Sequence, residues 1–172
     1  MKKGKQNKKE NNFAFIDGQN LYMQTDWNID FKRFRVYLKD KFKVVDAYYF
    51  LGFKKEESDL YVSLQKAGFI LMFNDRNENL ESEKKGNVDT NLVFEVMKNL
   101  IEEDFDKVAV VSGDGDYKRM IDYLIEKDRF RVLLTPTNNV SSLYRQIEKN
   151  FVSKIDNLRR KIEYKRKKSR RD

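Results

Sequence analysis

Apolar residues along this chain fall into two alternating kinds of run. Short, nearly continuous stretches are Phe13-Ala14-Phe15-Ile16, Val44-Val45-Asp46-Ala47-Tyr48-Tyr49-Phe50-Leu51, Phe69-Ile70-Leu71-Met72-Phe73, Val108-Ala109-Val110-Val111 and Arg131-Val132-Leu133-Leu134. Rich in β-branched and aromatic residues, they predict strands buried on both faces of a parallel sheet, at 13–17, 44–51, 69–73, 107–112 and 131–134. Between them the apolar spacing lengthens to three and four. Asp30 caps a predicted helix over 31–41, with Phe31, Phe34, Val36 and Leu38 as its apolar face. Ser58 starts a second, to 66, built on Leu60, Leu64 and Ala67 and stopped by Gly68. Val88, Leu92, Val96 and Leu100 mark a third over 88–103, and Met120, Ile121, Leu124 and Ile125 a fourth over 117–127.

The ends are less regular. Residues 1–11 read as a basic, flexible arm, 18–27 as a loop, and 74–87 as a polar segment. Ser141 or Ser142 caps a short helix to 149, and Phe151-Val152 adds a short edge strand. Residues 156–172 read as a basic helix or tail, leaving 12–155 as the folded domain. Strand and helix alternate throughout, which predicts a three-layer α/β/α fold with a mostly parallel sheet of five or six strands.

Composition narrows the chemistry. Hydrophobic residues make up 40% of the 172 and aromatics 13%, enough for a packed core. The chain has no cysteine, so disulfides and thiolate metal sites are excluded, which fits a reducing cytoplasm. It has no histidine, which excludes Ser-His-Asp triads, His-ligated zinc and a histidine general base. No apolar stretch approaches the length of a membrane span, and the basic N-terminus has no apolar segment after it. A cytoplasmic protein without a membrane partner is the expectation.

Charge is unevenly spread. Residues 1–10 hold five lysines and one glutamate, and residues 154–172 hold ten Lys/Arg against three acids. The net charge of +8 therefore divides into +4 and +7 at the ends and −3 over 11–153. Basic ends on a mildly acidic body suggest a polyanion gripped at the periphery, most simply nucleic acid. Lysine-rich ends that only aid solubility are the plainer account.

Two of the predicted strands stop abruptly in acids. The first leads into Asp17-Gly18-Gln19-Asn20 and the fourth into Ser112-Gly113-Asp114-Gly115-Asp116. In open parallel sheets ligands bind beyond the carboxyl ends of the strands, and strands one and four can be neighbours in a right-handed layout. Asp89, at the first turn of the third predicted helix, follows the glycine-containing loop Lys85-Gly86-Asn87-Val88 and can face the same crevice. Clustered carboxylates repel unless a cation sits between them, and the economical cation for oxygen ligands is Mg²⁺ or Mn²⁺. Singly, each acid has a structural account: Asp89 favoured by the helix macrodipole, Asp116 a cap for the helix at Tyr117, Asp17 and Asn20 an Asx-type turn. Their convergence on one sheet edge is what favours a site.

At Phe15-Ile16-Asp17-Gly18-Gln19-Asn20-Leu21, Lys85-Gly86-Asn87-Val88-Asp89 and Val110-Val111-Ser112-Gly113-Asp114-Gly115-Asp116-Tyr117 the chain resembles the NYN, or LabA-like, branch of the PIN-like nucleases. The likeness runs from about Asn12 to Ile155. Gly115 and Tyr117 stand where the family commonly has serine and phenylalanine, and Asn87 is inserted before Val88. The resemblance implies a PIN-like, Rossmannoid fold and a Mg²⁺- or Mn²⁺-dependent ribonuclease. It makes Asp17, Asp89, Asp114 and Asp116 the metal-binding catalytic acids, with Asn20 and Ser112 in support. Lys85 and the basic set Arg159, Arg160, Lys161, Lys165, Arg166, Lys167 and Lys168 are candidate RNA contacts. A non-catalytic RNA-binding module of the same fold is the main alternative, and exposed helices leave a homodimer open. A haloacid-dehalogenase-type phosphatase is disfavoured because Gln19 stands where its second aspartate is required, and a dinucleotide-binding module because no G-x-G-x-x-G follows the first strand.

Overall fold

A computed structural model describes residues 10–74, 88–138 and 140–165. Six strands are present: β1 (Asn12–Asp17), β2 (Val44–Gly52), β3 (Ile70–Asn74), β4 (Val108–Val111), β5 (Phe130–Thr135) and β6 (Val152–Lys154). They form one sheet in the order β3-β2-β1-β4-β5-β6 with every pairing parallel. The chain winds outward from β1 to β3, returns to the other side of β1, and winds outward again. That reversal is a topological switch point, and it lies between β1 and β4.

The α-helices among the described residues are α1 (Gly18–Gln24), α2 (Phe31–Phe42), α3 (Ser58–Ala67), α4 (Val88–Ile101), α5 (Lys118–Glu126) and α6 (Arg159–Ile162). Successive strand residues point to opposite faces, so each buried strand feeds two cores. Ala14 and Ile16 of β1 and Ala109 and Val111 of β4 join Phe34 and Leu38 of α2 and Leu64 of α3. Phe13 and Phe15, with Val108 and Val110, join Val88, Leu92 and Val96 of α4 and Ile121 and Leu124 of α5. Phe15 stacks on Tyr48 at 5.1 Å and on Phe50 at 6.3 Å between ring centroids, so the strand aromatics are core.

The architecture is the three-layer α/β/α arrangement expected, with six strands. Several local elements differ. Residues 18–24, expected as loop, form α1, whose seven residues bury only Gly18 and Leu21 and so carry no readable period. The expected helix to 149 is a 3₁₀ segment, Ser142–Gln146, followed by a second at Lys149–Phe151, and the edge strand begins at Val152. Val36, expected on the buried face of α2, is 55% exposed; Phe34, Leu38 and Phe42 bury that face instead.

The first part of the basic C-terminal segment is docked. Leu158 and Ile162 are buried beside α2, and Asp30 N–H donates to the Ile162 carbonyl at 2.7 Å. An apolar pair four residues apart, hidden among charges, ties α6 down.

Phe15 is fully buried, so Phe15→Ala should cost about 3–5 kcal/mol by cavity formation. Exposed Val36→Ala should change stability by less than about 0.5 kcal/mol. Urea unfolding of the two variants checks the pair.

Candidate metal centre

Parallel pairing sets Ile16 beside Val111, so the next residues of both strands meet at the carboxyl edge. The parity that sends Phe13 and Phe15 toward α4 sends Asp17 the same way. Asp17 caps α1, its Oδ1 accepting from the Asn20 N–H at 3.0 Å. Asn20 Oδ1 in turn accepts from the Gly113 N–H at 2.8 Å, stapling the two strand-end loops together. Ser112 Oγ donates to Asp17 Oδ2 at 3.3 Å and accepts from the Asp114 N–H at 3.1 Å. Asp114, rather than Asp116, is the cap of the turn that follows: its Oδ1 accepts from the Asp116 N–H at 3.1 Å. From the far side the Tyr144 hydroxyl donates to the Asp114 carbonyl, and Ser141 N–H donates to the Gly113 carbonyl at 3.1 Å.

Asp89 arrives from the crossover that links the two halves of the sheet. It is the second residue of α4, where the helix dipole favours a carboxylate. One carboxylate oxygen each from Asp89, Asp114 and Asp116 lie within 4.8 Å of one another. Asp89 and Asp114 are half-buried and Asp116 is exposed, so the triangle opens to solvent. Asp17 stands behind it, only 4% exposed. The link between them is Tyr117, whose hydroxyl lies 2.5 Å from Asp89 Oδ1 and 3.1 Å from Asp17 Oδ2.

The electrostatics follow from burial. Desolvation pushes the Asp17 carboxyl above its ordinary value, and the like charge of Asp89 adds to it; bonds from Asn20, Tyr117 and Ser112 work the other way. The Tyr117 phenol is pushed strongly upward, first by burial and then by the Asp17 charge, so it stays a neutral hydroxyl. Among the described residues no lysine or arginine forms an ion pair with any of these four acids. Three hard oxygen donors at this separation, without a cationic partner, fit Mg²⁺ or Mn²⁺.

Residues 13–158 match the NYN domain. This chain belongs to the NYN domain family. The family falls within the PIN-like nuclease superfamily. Among relatives, the low amplitude and bright protein LabA of Synechococcus elongatus is 24% identical over 162 residues, covering 87% of this chain and 86% of that protein. Among solved structures, a protein of unknown function from Vibrio parahaemolyticus superposes with a TM-score of 0.76 at 21% identity, covering 89% of this chain and 97% of that one. That likeness is one of fold.

In this NYN domain Asp114 and Asp116 border an open cleft of about 430 Å³, lined also by Asn20, Gln24, Val140, Ser141 and Leu143. Two glycines are required by close approach. A Cβ on Gly18 would stand 2.2 Å from Tyr49 Cε1 and 2.7 Å from the Phe50 carbonyl oxygen, and one on Gly115 would stand 2.4 Å from Ser141 Oγ. The loop after β5 thus occupies the space that a side chain at position 115 would need. Tyr144 escaped the sequence reading, which took Ser141 only as a candidate helix cap, the role it does have before Ser142–Gln146, and Tyr117 only as a motif position. Tyr117 directly follows Asp116, yet nothing in linear spacing shows its hydroxyl turning back to β1.

The basic residues divide. Arg159, Arg160, Lys161 and Lys165 are exposed on or just after α6. Arg159 is partly engaged, paired with Glu163 at 3.0 Å and lying over the Trp27 ring at 5.7 Å. Lys85, Arg166, Lys167 and Lys168 lie outside the described residues. No helix among the described residues is long and apolar enough to cross a membrane.

Because the folded state raises the Asp17 pKa, it holds that proton more tightly than the unfolded chain does. The metal-free protein therefore loses stability as pH rises from the ordinary carboxyl value of 3.8 through the raised one. Asp17→Asn keeps the acceptor for Asn20 and removes the charge. In EDTA its melting temperature should therefore rise relative to the wild type's as pH goes from acid to neutral, on top of a pH-independent loss from an amide that cannot accept from the Ser112 and Tyr117 hydroxyls as Oδ2 does. Gly115→Ala should lower the melting temperature, and Ser141→Gly in the same chain should restore part of the loss.

Proposed function

We propose that this chain is a ribonuclease that hydrolyses RNA phosphodiester bonds with Mg²⁺ or Mn²⁺. The observation that supports it is the triangle of Asp89, Asp114 and Asp116 oxygens within 4.8 Å, at the switch point of an NYN domain. Bound there, the ion would supply Lewis acidity, lowering the pKa of a water and offsetting charge on the scissile phosphate.

The protein's own residues divide the remaining work. Asp89, Asp114 and Asp116 are the ligands that face solvent and substrate. Asp17 sits behind them as an orienting acid, held by Ser112 and Tyr117. Asn20 fixes the Gly113 backbone, which sets the aim of Asp114. No histidine is needed as a base, in keeping with a chain that has none. The clustered acids repel phosphate in the absence of metal, so recruitment of RNA falls to the basic ends, with salt-sensitive affinity. Lys85 and the set Arg159, Arg160, Lys161, Lys165, Arg166, Lys167 and Lys168 are the contacts proposed for this.

Asp114→Asn or Asp89→Asn should abolish Mn²⁺-dependent cleavage of a labelled RNA while circular dichroism stays unchanged. Full activity in either purified variant would sink this site. RNA binding that survives EDTA, with no cleavage under Mg²⁺ or Mn²⁺, would point instead to the binding module.

A further inference from the structure

Tyr117 is placed oddly for a core residue. Its side chain is fully buried among Phe15, Leu92, Ile121 and Leu124, on the face shared by α4 and α5. Its hydroxyl nevertheless emerges between two carboxylates, 2.5 Å from Asp89 Oδ1 and 3.1 Å from Asp17 Oδ2. A phenol carries one proton, so it donates to one carboxylate at a time; the shorter contact favours Asp89, and Asp17 receives the proton when Asp89 does not. The ring is fully enclosed, which limits where the hydroxyl can go. Asp89 is otherwise a short side chain on the first turn of a helix, with no other hydrogen bond to its carboxylate among the described residues.

We propose that Tyr117 is a positioning residue for the metal centre: its hydroxyl holds the Asp89 carboxylate against Asp114 and Asp116 and thereby sets the affinity for the divalent ion. This rests on the metal reading above. A hydroxyl fixed by the core orders Asp89 before the ion arrives, so less ordering remains to be done on binding. Groups that orient metal ligands in this way typically alter affinity by about 10–100-fold when removed. A hydroxyl that instead competed with the ion for Asp89 would give the opposite sign.

The test is Tyr117→Phe in the full chain, which keeps the ring and removes only the oxygen. Mn²⁺ binding is measured by titration calorimetry on wild type, Y117F and D114N, with metal-free melting curves for each. The expected result is binding about 10-fold weaker in Y117F. A role confined to packing would lower the metal-free melting temperature and leave the Mn²⁺ affinity unchanged; unchanged or tighter binding overturns the proposal. Wild-type binding that is lost in D114N but equal in Y117F would defeat this inference and leave the metal centre standing. No wild-type binding would defeat both. A second measurement needs no variant: the hydrogen-bonded Tyr117 hydroxyl proton should remain visible by NMR when diamagnetic Mg²⁺ is added, and its loss would show the bond to Asp89 broken by the ion.

Discussion

Where Ile16 lies beside Val111, two central strands of a parallel sheet end together, and each continues into polar residues. Backbone pairing alone brings Asp17 within reach of Ser112, before any side chain has chosen a partner. On the face that carries Phe13 and Phe15 packs α4, through Val88, Leu92 and Val96. Asp89 follows from that, being the second residue of the crossing helix. The candidate centre is thus a consequence of strand order, and the hydrogen bonds of Asn20, Ser112 and Tyr117 refine what the ladder has already set.

That placement has a cost. Carboxylates gathered at a sheet edge lose water and repel one another, and both effects fall most heavily on Asp17. Among the described residues its partners are neutral donors, an amide N–H and two hydroxyls, rather than lysine or arginine. Neutral donors stabilise the rear acid without cancelling the field in front of it. The triangle of Asp89, Asp114 and Asp116 remains attractive to a small cation, which a nearby guanidinium would have spoiled.

Most of the fold was legible because its signals are long. Six buried strand residues in β1 and a fourteen-residue α4 with apolar positions every four leave little ambiguity. What escaped was short or non-local. Seven residues of α1 bury too little to show a period, and Leu158 and Ile162 are two apolar residues in a charged stretch. At the site, the four acids stood out because strand runs end in them. The division into three in front and one behind did not, since it depends on which way side chains turn at a sheet edge. Gly115 read as a simple departure from a family pattern; its reason, the Ser141 side chain packed where a Cβ would be, comes from a loop distant in sequence.

The bonds that close the centre join residues far apart along the chain. Ser112 and Tyr117 reach Asp17 across 95 and 100 positions, while the sheet contacts within each half are far more local. Contacts of such separation form late, because a long loop must close before they give anything back. A chain emerging from the ribosome would complete β1, β2 and β3 with Asp17 already displayed at their edge, partnered only by the neighbouring Asn20 N–H until β4 had followed. The candidate centre is therefore closed by long-range contacts, and a product truncated before β4 would carry Asp17 and Asp89 without Asp114 and Asp116.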